Sequence, residues 1–475
     1  MAHIVKALTA ATALLAPCSA FSLGTRLGIS TLKTTTQMKM STVNLGIIGG
    51  GTVGGGIVEI LGNKAKYLQD LTGNTIAVKS ICVRDLAKER DFEIPEGCEV
   101  HTDPAKILES DDIDIVVEVM GGTTLAKDIV FKALSSGKHV VTANKALIAD
   151  QLGQIESHLL KINKDRAKED TVQFGYEAAV CGGIPIINSL QSDYPGDSVG
   201  MIAGIINGCT NFMLTGMDRD GMSYDEALAQ ASELGYAEAD PTLDVGGFDA
   251  RSKLKILMRL AYGVDVDEES IPCRGIQELT AVDYEYAKKL GGTIKLLGVS
   301  NRGADGQVSG YVSPCYVASN DSLSSVNDAT NAVEISSDNL GSTTYIGQGA
   351  GRFPTANSCV NDIASIAKGD KTASPFNPPS DVTFVQKFDS VFYLRLKYRD
   401  EIGITRQCGE ICEKHGVSIH SLLQNPVTKK SDAAFAIITE KVSNTSMKKV
   451  VAELEGLDWV QGPAFSMPVL RADWI

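Results

Sequence analysis

Short apolar runs alternate with helical patterns along the first part of the chain. The run Val43–Ile48 is followed by apolar residues at helical spacing, and the buried-type run Asp114–Val119 is followed by a helical pattern over 126–135. Two further strand-like runs cover Ile76–Val83 and His139–Thr142. Because parallel strands need a crossover between them, this alternation predicts an α/β fold with a Rossmann-type doubly wound parallel sheet.

A different pattern begins near residue 197 and predicts a second, α+β domain. Its strand and helix patterns cover Gly200–Ile206, 223–234, Tyr284–Leu290, Ile294–Ser300 and Val308–Val317. Within it, the Gly-, Pro- and acid-rich stretch that starts at Leu234 changes character at Phe248. From Phe248 onward, apolar residues recur at helical spacing, so a helix is predicted to begin there and to bury that face.

The C-terminal part of the chain has patterns in the order β-α-β-β-α-β, which is the order of a ferredoxin-like unit. The patterns cover 391–398, 402–415, 417–423, 433–439, 444–455 and 457–462. A stretch rich in Ser, Pro and Asn precedes them and predicts a linker. The predicted units are a presequence over 1–43, a nucleotide domain over 44–190 to which 345–368 return, a substrate-binding and dimerisation domain over 191–344, the linker over 369–387, and a small regulatory unit over 388–475.

The first 43 residues differ from the rest in composition. Asp and Glu are absent before Glu59, whereas Lys and Arg are present, and Ser and Thr are frequent. The apolar segment Ala7–Ala16 is too short to span a membrane, and small residues follow it as in a cleavage site. The run Ser19–Ser22 resembles the cleavage motif of two-part plastid presequences in algae with secondary plastids. We therefore expect a plastid protein without a membrane segment in its mature form; a secretory signal is the alternative.

The net charge and the spacing of the cysteines indicate which partners and ligands the chain is not expected to bind. The net charge of −14 and the pI near 5.0 argue against nucleic acid, because no basic face is implied. Hydrophobic residues at 43% and charged residues at 21% are typical of a globular protein. The ten cysteines show no Cys-x-x-Cys and no zinc spacing with His, so free thiols are expected.

A glycine motif follows the first predicted strand. Gly49, Gly51 and Gly54 form Gly-x-Gly-x-x-Gly between a strand and a helix, the context in which this motif binds a dinucleotide. At the end of the second strand stands Arg84, where an acid would bind the ribose 2′-hydroxyl of NAD. An arginine there favours the 2′-phosphate of NADP, and the adjacent Asp85 leaves NAD open.

Four charged residues are candidates for chemistry. Asp249 and Lys253 lie one turn apart at the start of the predicted helix; an ordinary exposed ion pair is the alternative interpretation. Lys145 follows the strand His139–Thr142 and therefore lies at the carboxyl edge of the sheet, where such sheets bind ligands. Glu177 stands in an uncharged Gly- and Ala-rich run and needs a partner if buried.

Taken together, several motifs in order resemble the homoserine dehydrogenase family over nearly the whole chain after residue 43. The matching runs are Gly49–Gly54, Val141–Lys145, Gly182–Ile186, Ile206–Asn211, Gly235–Pro241, Asp249–Lys253, Gly349–Gly351 and Pro354–Ala356. The resemblance implies NAD(P)-dependent interconversion of L-homoserine and L-aspartate 4-semialdehyde, on the way to threonine and methionine. It also implies the monofunctional form, because no aspartate kinase region is present.

The resemblance also implies roles for individual residues. Lys253 would pass a proton to or from the carbinol oxygen, and Glu238 and Asp249 would hold the ammonium group. Lys145 would contact substrate or cofactor. Further implied substrate contacts are Asp244 and Gly235. Further implied cofactor contacts are Thr52, Val53, Gly235 and Gly349. A monovalent cation, Na⁺, would be held by Glu177 and by the carbonyls of Val180, Gly182 and Ile184.

The last unit resembles an ACT domain, with Asp400–Gly403 in its first strand–helix loop. The resemblance implies threonine as an inhibitor and a homodimer or higher homo-oligomer. Two other functions stay open from the residues alone: another amino-acid dehydrogenase of the same fold, such as an aspartate dehydrogenase type, and a catalytically silent NADP-binding sensor. The protonation state of Lys253 is also open, because burial and Asp249 act on it in opposite directions.

Overall fold

The computed structural model describes residues 41–237, 239–370, 376–427 and 433–471. All but the last three residues of the predicted presequence lie outside these ranges, and so does the predicted substrate contact Glu238. Within them, no helix combines the length and the apolar character that crossing a membrane would require.

The nucleotide domain is built on a six-stranded parallel sheet. Its elements are β1 Thr42–Ile48, α1 Thr52–Asn63, α2 Ala65–Thr72, β2 Thr75–Cys82, β3 Glu99–His101, α3 Ala105–Leu108, β4 Ile115–Glu118, α4 Thr124–Ser135, β5 His139–Thr142, α5 Lys145–Asn163 and β6 Phe174–Gly175. The strand order β3-β2-β1-β4-β5-β6 confirms the predicted doubly wound sheet. The order of strands reverses between β1 and β4, because β2 and β3 lie on one side of β1 and β4 to β6 lie on the other. The carboxyl ends of β1, β4 and β5 therefore form the edge at which such sheets bind ligands.

The substrate domain contains a five-stranded antiparallel sheet in the order β11-β10-β7-β8-β9. Its elements are α6 Ile186–Ser192, β7 Val199–Ile205, α7 Gly208–Arg219, α8 Tyr224–Glu233, α9 Thr242–Val245, α10 Phe248–Tyr262, α11 Ala281–Lys289, β8 Gly292–Arg302, β9 Val308–Ala318, β10 Thr330–Ser337 and β11 Gly341–Gln348. The next helix, α12 Arg352–Lys368, lies against the nucleotide domain. The helix α10 begins at Phe248, as the apolar spacing predicts. The helix α12 packs on α1, where a Cβ on Gly56 would lie 2.9 Å from that of Ala356.

The C-terminal part forms a β-α-β-β-α-β unit. Its elements are β12 Phe384–Val385, β13 Asp389–Ser390, β14 Phe392–Tyr398, α13 Ile404–Lys414, β15 Ile419–Gln424, β16 Ala433–Thr439, β17 Val442–Ser443, α14 Asn444–Glu455 and β18 Phe465–Leu470. Numbered within the unit, its four main strands lie in the order 4-1-3-2, which is the ferredoxin-like order.

The last strand is not where the sequence pattern predicts it. The predicted strand 457–462 is a turn, and the strand is Phe465–Leu470. The apolar residues of that turn mark burial rather than a strand: Trp459 is 2% exposed and its indole donates to Gln407 Oε1 at 2.9 Å. Pro463 then separates the turn from the strand.

The strand β18 belongs to two sheets at once. It pairs antiparallel with β14 and parallel with β9, so the sheets of the substrate domain and the C-terminal unit are continuous. The fully buried Asp283 of α11 strengthens this junction by accepting from Tyr393 Oη at 2.9 Å and from Arg395 Nε at 2.8 Å. The C-terminal unit is therefore packed and hydrogen-bonded to the substrate domain.

Candidate functional site

The glycine loop after β1 has the geometry of a pyrophosphate cradle. Gly49 has φ +122°, and a Cβ there would lie 2.5 Å from Val119 O; a Cβ on Gly54 would lie 1.9 Å from Gly49 O. Around Gly51, by contrast, a Cβ would meet nothing within 4 Å. Two glycines thus permit a tight turn and close helix packing, and the third leaves open space. The predicted contacts Thr52 and Val53 begin α1, whose N-terminal amides favour an anion.

Basic side chains lie beside this loop at the end of β2. Arg84 is exposed, whereas the guanidinium of Arg90 donates to Gly50 O at 3.2 Å and also contacts the carbonyl of Asp85. The Asp85 carboxylate accepts from the amide of Ala87 at 2.8 Å, within its own turn. Arg90 therefore lies between the glycine loop and the turn that carries Arg84 and Asp85. Its proximity to the glycine loop depends on a turn that no local pattern indicates.

The pair Asp249–Lys253 is buried at the start of α10. Lys253 Nζ donates to Asp249 Oδ2 at 2.8 Å and to Ile206 O at 2.8 Å. Lys253 is 7% exposed and Asp249 is 5% exposed. The interpretation of this pair as an exposed surface ion pair is therefore wrong, and its charges interact with little screening by water.

Two other elements bring polar side chains to Asp249. Lys145, the first residue of α5, contacts Asp249 Oδ1 through its ammonium group. Asn207, the N-cap of α7, donates to Asp249 Oδ2 at 2.8 Å and to Asp244 Oδ1 at 2.7 Å. The structure thus places the predicted residues Lys145, Asp244, Asp249 and Lys253 in one cluster across two domains. Asn207 was not among the predicted site residues, although it stands in one of the matched motifs.

The cluster is ionised in the free site. Burial lowers the pKa of Lys253, but Asp249, together with Cys181 and Asp244, outweighs burial, so the pKa is raised above its usual value. Burial raises the pKa of Asp249, but Lys253 and Lys145 outweigh it, and the pKa lies well below its usual value. Burial also raises the pKa of Asp244, which has Asn207 as a hydrogen-bond partner. Lys253 is therefore an ammonium group before substrate enters.

Glu177 lies in a 3₁₀ turn that follows β6 and is 2% exposed. Its carboxylate oxygens accept from the amides of Ile187 at 3.0 Å and Asn188 at 2.7 Å. Burial raises the pKa of Glu177 to about 7. Asp362 accepts from the amide of Glu177 at 3.0 Å, and burial followed by the charge of Glu177 raises its pKa to about 8. Two buried carboxyl groups therefore lie close together here.

The other predicted cation ligands lie in the turn that follows Glu177. Cys181 has φ 55° and Gly182 has φ 43°, so two successive residues are left-handed and reverse the chain between Val180 and Ile184. Gly182 O accepts from Ser358 Oγ at 2.7 Å. The carbonyls of Val180, Gly182 and Ile184 thus belong to one tight turn, and carbonyl and carboxylate oxygens suit a hard cation.

Two predicted glycine contacts lie in different surroundings. Gly349 packs between this turn and Asn331: a Cβ on Gly349 would lie 2.1 Å from Asn331 Cγ, and a Cβ on Gly182 would lie 2.6 Å from Gly349 O. Gly235 has φ +76° and an open environment just after α8. Gly349 is therefore held close against neighbouring backbone, whereas Gly235 begins the loop that leads toward Asp244.

Comparison with known proteins gives a consistent result. Family models described as "Homoserine dehydrogenase, NAD binding domain" and "Homoserine dehydrogenase" match residues 49–163 and 185–364. A homoserine dehydrogenase of Neisseria gonorrhoeae is 35% identical over 435 residues, covering 89% of this chain and 98% of its own. A solved homoserine dehydrogenase of Thiobacillus denitrificans has a TM-score of 0.83 at 33% identity, covering 91% of this chain and 99% of its own. A hyperthermophilic archaeal homoserine dehydrogenase in complex with NADPH has a TM-score of 0.56 at 28% identity, covering 68% of this chain and 97% of its own.

Proposed function

The chain belongs to the homoserine dehydrogenase family, and we propose that its Lys145–Asp249–Lys253 cluster carries the NAD(P)-dependent interconversion of L-homoserine and L-aspartate 4-semialdehyde. The observation that supports these roles is the buried Lys253 ammonium group, which Asp249 and Ile206 O fix in place. Homoserine-dependent reduction of NADP or NAD by the purified protein tests the activity. Oxidation of aspartate instead of homoserine would indicate the alternative amino-acid dehydrogenase, and absence of turnover would indicate the silent sensor.

The roles of the charged groups follow from their bonds. Bound NAD(P)H supplies the hydride that reduces the aldehyde carbon. Lys253 donates a proton to the aldehyde oxygen in this direction and accepts it in the reverse direction. Asp249 orients the two lysines, because its Oδ2 accepts from Lys253 and its Oδ1 contacts the ammonium group of Lys145. Asp244 and Glu238 are then the carboxylates left to hold the substrate's ammonium group.

We propose that NADP is preferred over NAD. The open space at Gly51 fits a pyrophosphate, and Arg84 and Arg90 at the end of β2 suit a 2′-phosphate. The exchange Arg84→Ala should raise KM for NADP by about tenfold, the equivalent of ~1.4 kcal/mol, and leave KM for NAD unchanged. Steady-state kinetics with both cofactors measure this, with Lys88→Ala in the same segment as the control. Equal changes in both KM values would contradict a 2′-phosphate contact.

We propose that a monovalent cation, Na⁺, binds Glu177 and the carbonyls of Val180, Gly182 and Ile184. The buried Glu177 carboxylate supports this, since its hydrogen-bond partners are backbone amides rather than a cationic side chain. Adding NaCl should raise the Tm more than the same concentration of choline chloride, because a ligand at a hundredfold excess over Kd stabilises by about 2.7 kcal/mol. In Glu177→Gln the two salts should act alike. An identical response of the unmodified protein to both salts would exclude the site.

We propose that the C-terminal unit is an ACT-like domain and that threonine inhibits the enzyme through the loop Asp400–Gly403. The ferredoxin-like strand order supports this, and Gly403 with φ +95° shapes the loop. Millimolar threonine should lower turnover of the full chain, and Asp400→Ala should reduce that inhibition, with Glu410→Ala on α13 as the control. A full-length enzyme indifferent to threonine would contradict the proposal. Deletion of 388–475 is unsuitable as a test, because it removes β18 from β9.

We also propose that residues 1–43 direct the protein to a plastid and that the enzyme is a homodimer. The acid-free, Ser- and Thr-rich composition of that segment supports the first, with a secretory signal as the alternative. The resemblance of the C-terminal unit to ACT domains, which often pair, supports the second. Imaging of a fluorescent fusion and light scattering of the mature chain test the two proposals separately.

A further inference from the structure

We propose that Glu118 and Thr142 are positioning residues that set Lys145 against Asp249. This inference rests on the proposed role of the Lys145–Asp249–Lys253 cluster. Glu118 ends β4 and is 0% exposed; its Oε2 accepts from Thr142 Oγ1 at 2.7 Å. In the described part of the chain Glu118 forms no ion pair. Burying a carboxyl group without a cation costs free energy unless hydrogen-bond donors satisfy its oxygens. The donors to Glu118 are therefore needed to keep it buried.

The directions of the hydrogen bonds are fixed by chemistry. The amide of Asn144 can only donate, and it donates to Thr142 Oγ1 at 3.0 Å. The hydroxyl proton of Thr142 is therefore available to Glu118 Oε2, while Glu118 Oε1 accepts from the amide of Met120 at 3.0 Å. Each oxygen of the Glu118 carboxyl group therefore has its own hydrogen-bond donor. A glutamine offers one acceptor oxygen and would leave one donor unsatisfied.

The chain of bonds leads from Thr142 to the first turn of α5. Asn144 is the N-cap of this helix: its Oδ1 accepts from the amide of Leu147 at 3.1 Å, and its Nδ2 donates to Gly122 O at 2.6 Å. Lys145 is the first helical residue, so its backbone is set by the same cap. The carboxyl ends of β4 and β5 thus determine where α5 begins.

The position of Lys145 needs this support. Its side chain is 45% exposed, so packing does not hold it, yet its ammonium group contacts a carboxylate that is 3% exposed. The contact joins the nucleotide domain, which carries Lys145, to the substrate domain, which carries Asp249. A displacement of about 1 Å in an active site can cost about a hundredfold in rate. Glu118 and Thr142 therefore act through Lys145 without contacting substrate.

A double-mutant cycle with Lys145 tests this inference. Thr142→Val removes the hydroxyl and keeps the shape, and it should lower kcat for homoserine oxidation by about ten- to a hundredfold. Thr142→Ser keeps the hydroxyl and should restore most of the rate. In a Lys145→Met background, Thr142→Val should change kcat by less than about twofold, because the residue through which it acts is gone.

The outcomes separate this inference from the proposed function. Equal losses from Thr142→Val in the two backgrounds, or a Thr142→Ser variant as impaired as Thr142→Val, would overturn the positioning role. An unmodified protein without homoserine oxidation would overturn the proposed function instead. Should Thr142→Val fail to fold, Glu118→Gln takes its place in the cycle, because it keeps the side-chain volume but leaves one acceptor oxygen for the two donors, Thr142 Oγ1 and the amide of Met120.

Discussion

Replacing Lys253 with methionine is expected to lower kcat by about 10²- to 10⁴-fold, the usual contribution of a positioned proton donor or acceptor. The loss should occur both in homoserine oxidation and in semialdehyde reduction, because the same group passes the proton in each direction. Methionine keeps the length and apolar volume of the side chain at a site that is 7% exposed. Asp249 retains Lys145 and Asn207 as partners, so the fold should persist. Steady-state kinetics in both directions measure the effect.

A matched control lies on the same helix. Lys255 is two residues farther along α10, where its Nζ lies 3.9 Å from Asp265 Oδ1. Lys255→Met should leave kcat within about twofold of the unmodified enzyme. If Lys253→Met also kept kcat within about tenfold, the assignment of proton transfer to Lys253 would be wrong.

The second large effect concerns Asp249. In the unmodified site the Asp249 carboxylate is the main group that opposes burial, and the pKa of Lys253 is raised. Homoserine oxidation needs the neutral amine as a base, so its rate should rise with pH toward the raised pKa. Semialdehyde reduction uses the ammonium group, so its rate should fall only above that pKa. In Asp249→Asn, burial lowers the pKa of Lys253 with less opposition. The rise of homoserine oxidation and the fall of semialdehyde reduction with pH should therefore both move to lower pH.

The maximal rate should fall in the same variant. Asp249→Asn removes the negative charge between two lysines, so Lys145 and Lys253 lose their common partner, and we expect kcat to drop by about a hundredfold. Asp244→Asn is the comparison: Asp244 hydrogen-bonds Asn207 and raises the pKa of Lys253 less than Asp249 does, so this variant should mainly raise KM for homoserine. Measurement of kcat and kcat/KM from neutral to alkaline pH tests both variants. An unshifted limb in Asp249→Asn would contradict the electrostatic account of Lys253.

Much of this arrangement is readable from local sequence patterns. The strands β1, β4 and β5 are predominantly apolar runs. The glycine spacing after β1 specifies a tight turn, open space for a pyrophosphate and close packing of the helix on the strand. The helix α10 follows from its apolar stripe, and the four-residue spacing puts Asp249 and Lys253 on one face. These features depend on neighbours within a few residues, which is why the sequence alone predicts them.

Other features depend on contacts between distant parts of the chain. The pairing of Lys145 with Asp249 and the bridge from Asn207 to two carboxylates join segments that no periodicity connects. The sequence pattern predicts the last strand too early. Trp459 and its neighbours are apolar because they are buried in a turn, and such a turn has the same composition as a short strand. The protonation of Lys253 depends on whether burial or the nearby carboxylates have the larger effect on its pKa. That depends on distances and burial in the folded protein, which local sequence patterns do not give.

The strand β9 has a consequence for how the protein is made. One edge of β9 pairs with β8, but its other edge is covered by β12 and by β18, both of which lie beyond residue 383. While the ribosome is still translating the C-terminal unit, that edge is bonded at Val312 by Pro272 O and the amide of Arg274, but the ends that β12 and β18 later cover are open. An unpaired strand edge invites association with other chains. The sheet on which α10 packs, the helix of Asp249 and Lys253, is completed only when β18 has left the ribosome. Late truncations should therefore favour aggregation of the nascent chain, long before any effect on catalysis can be measured.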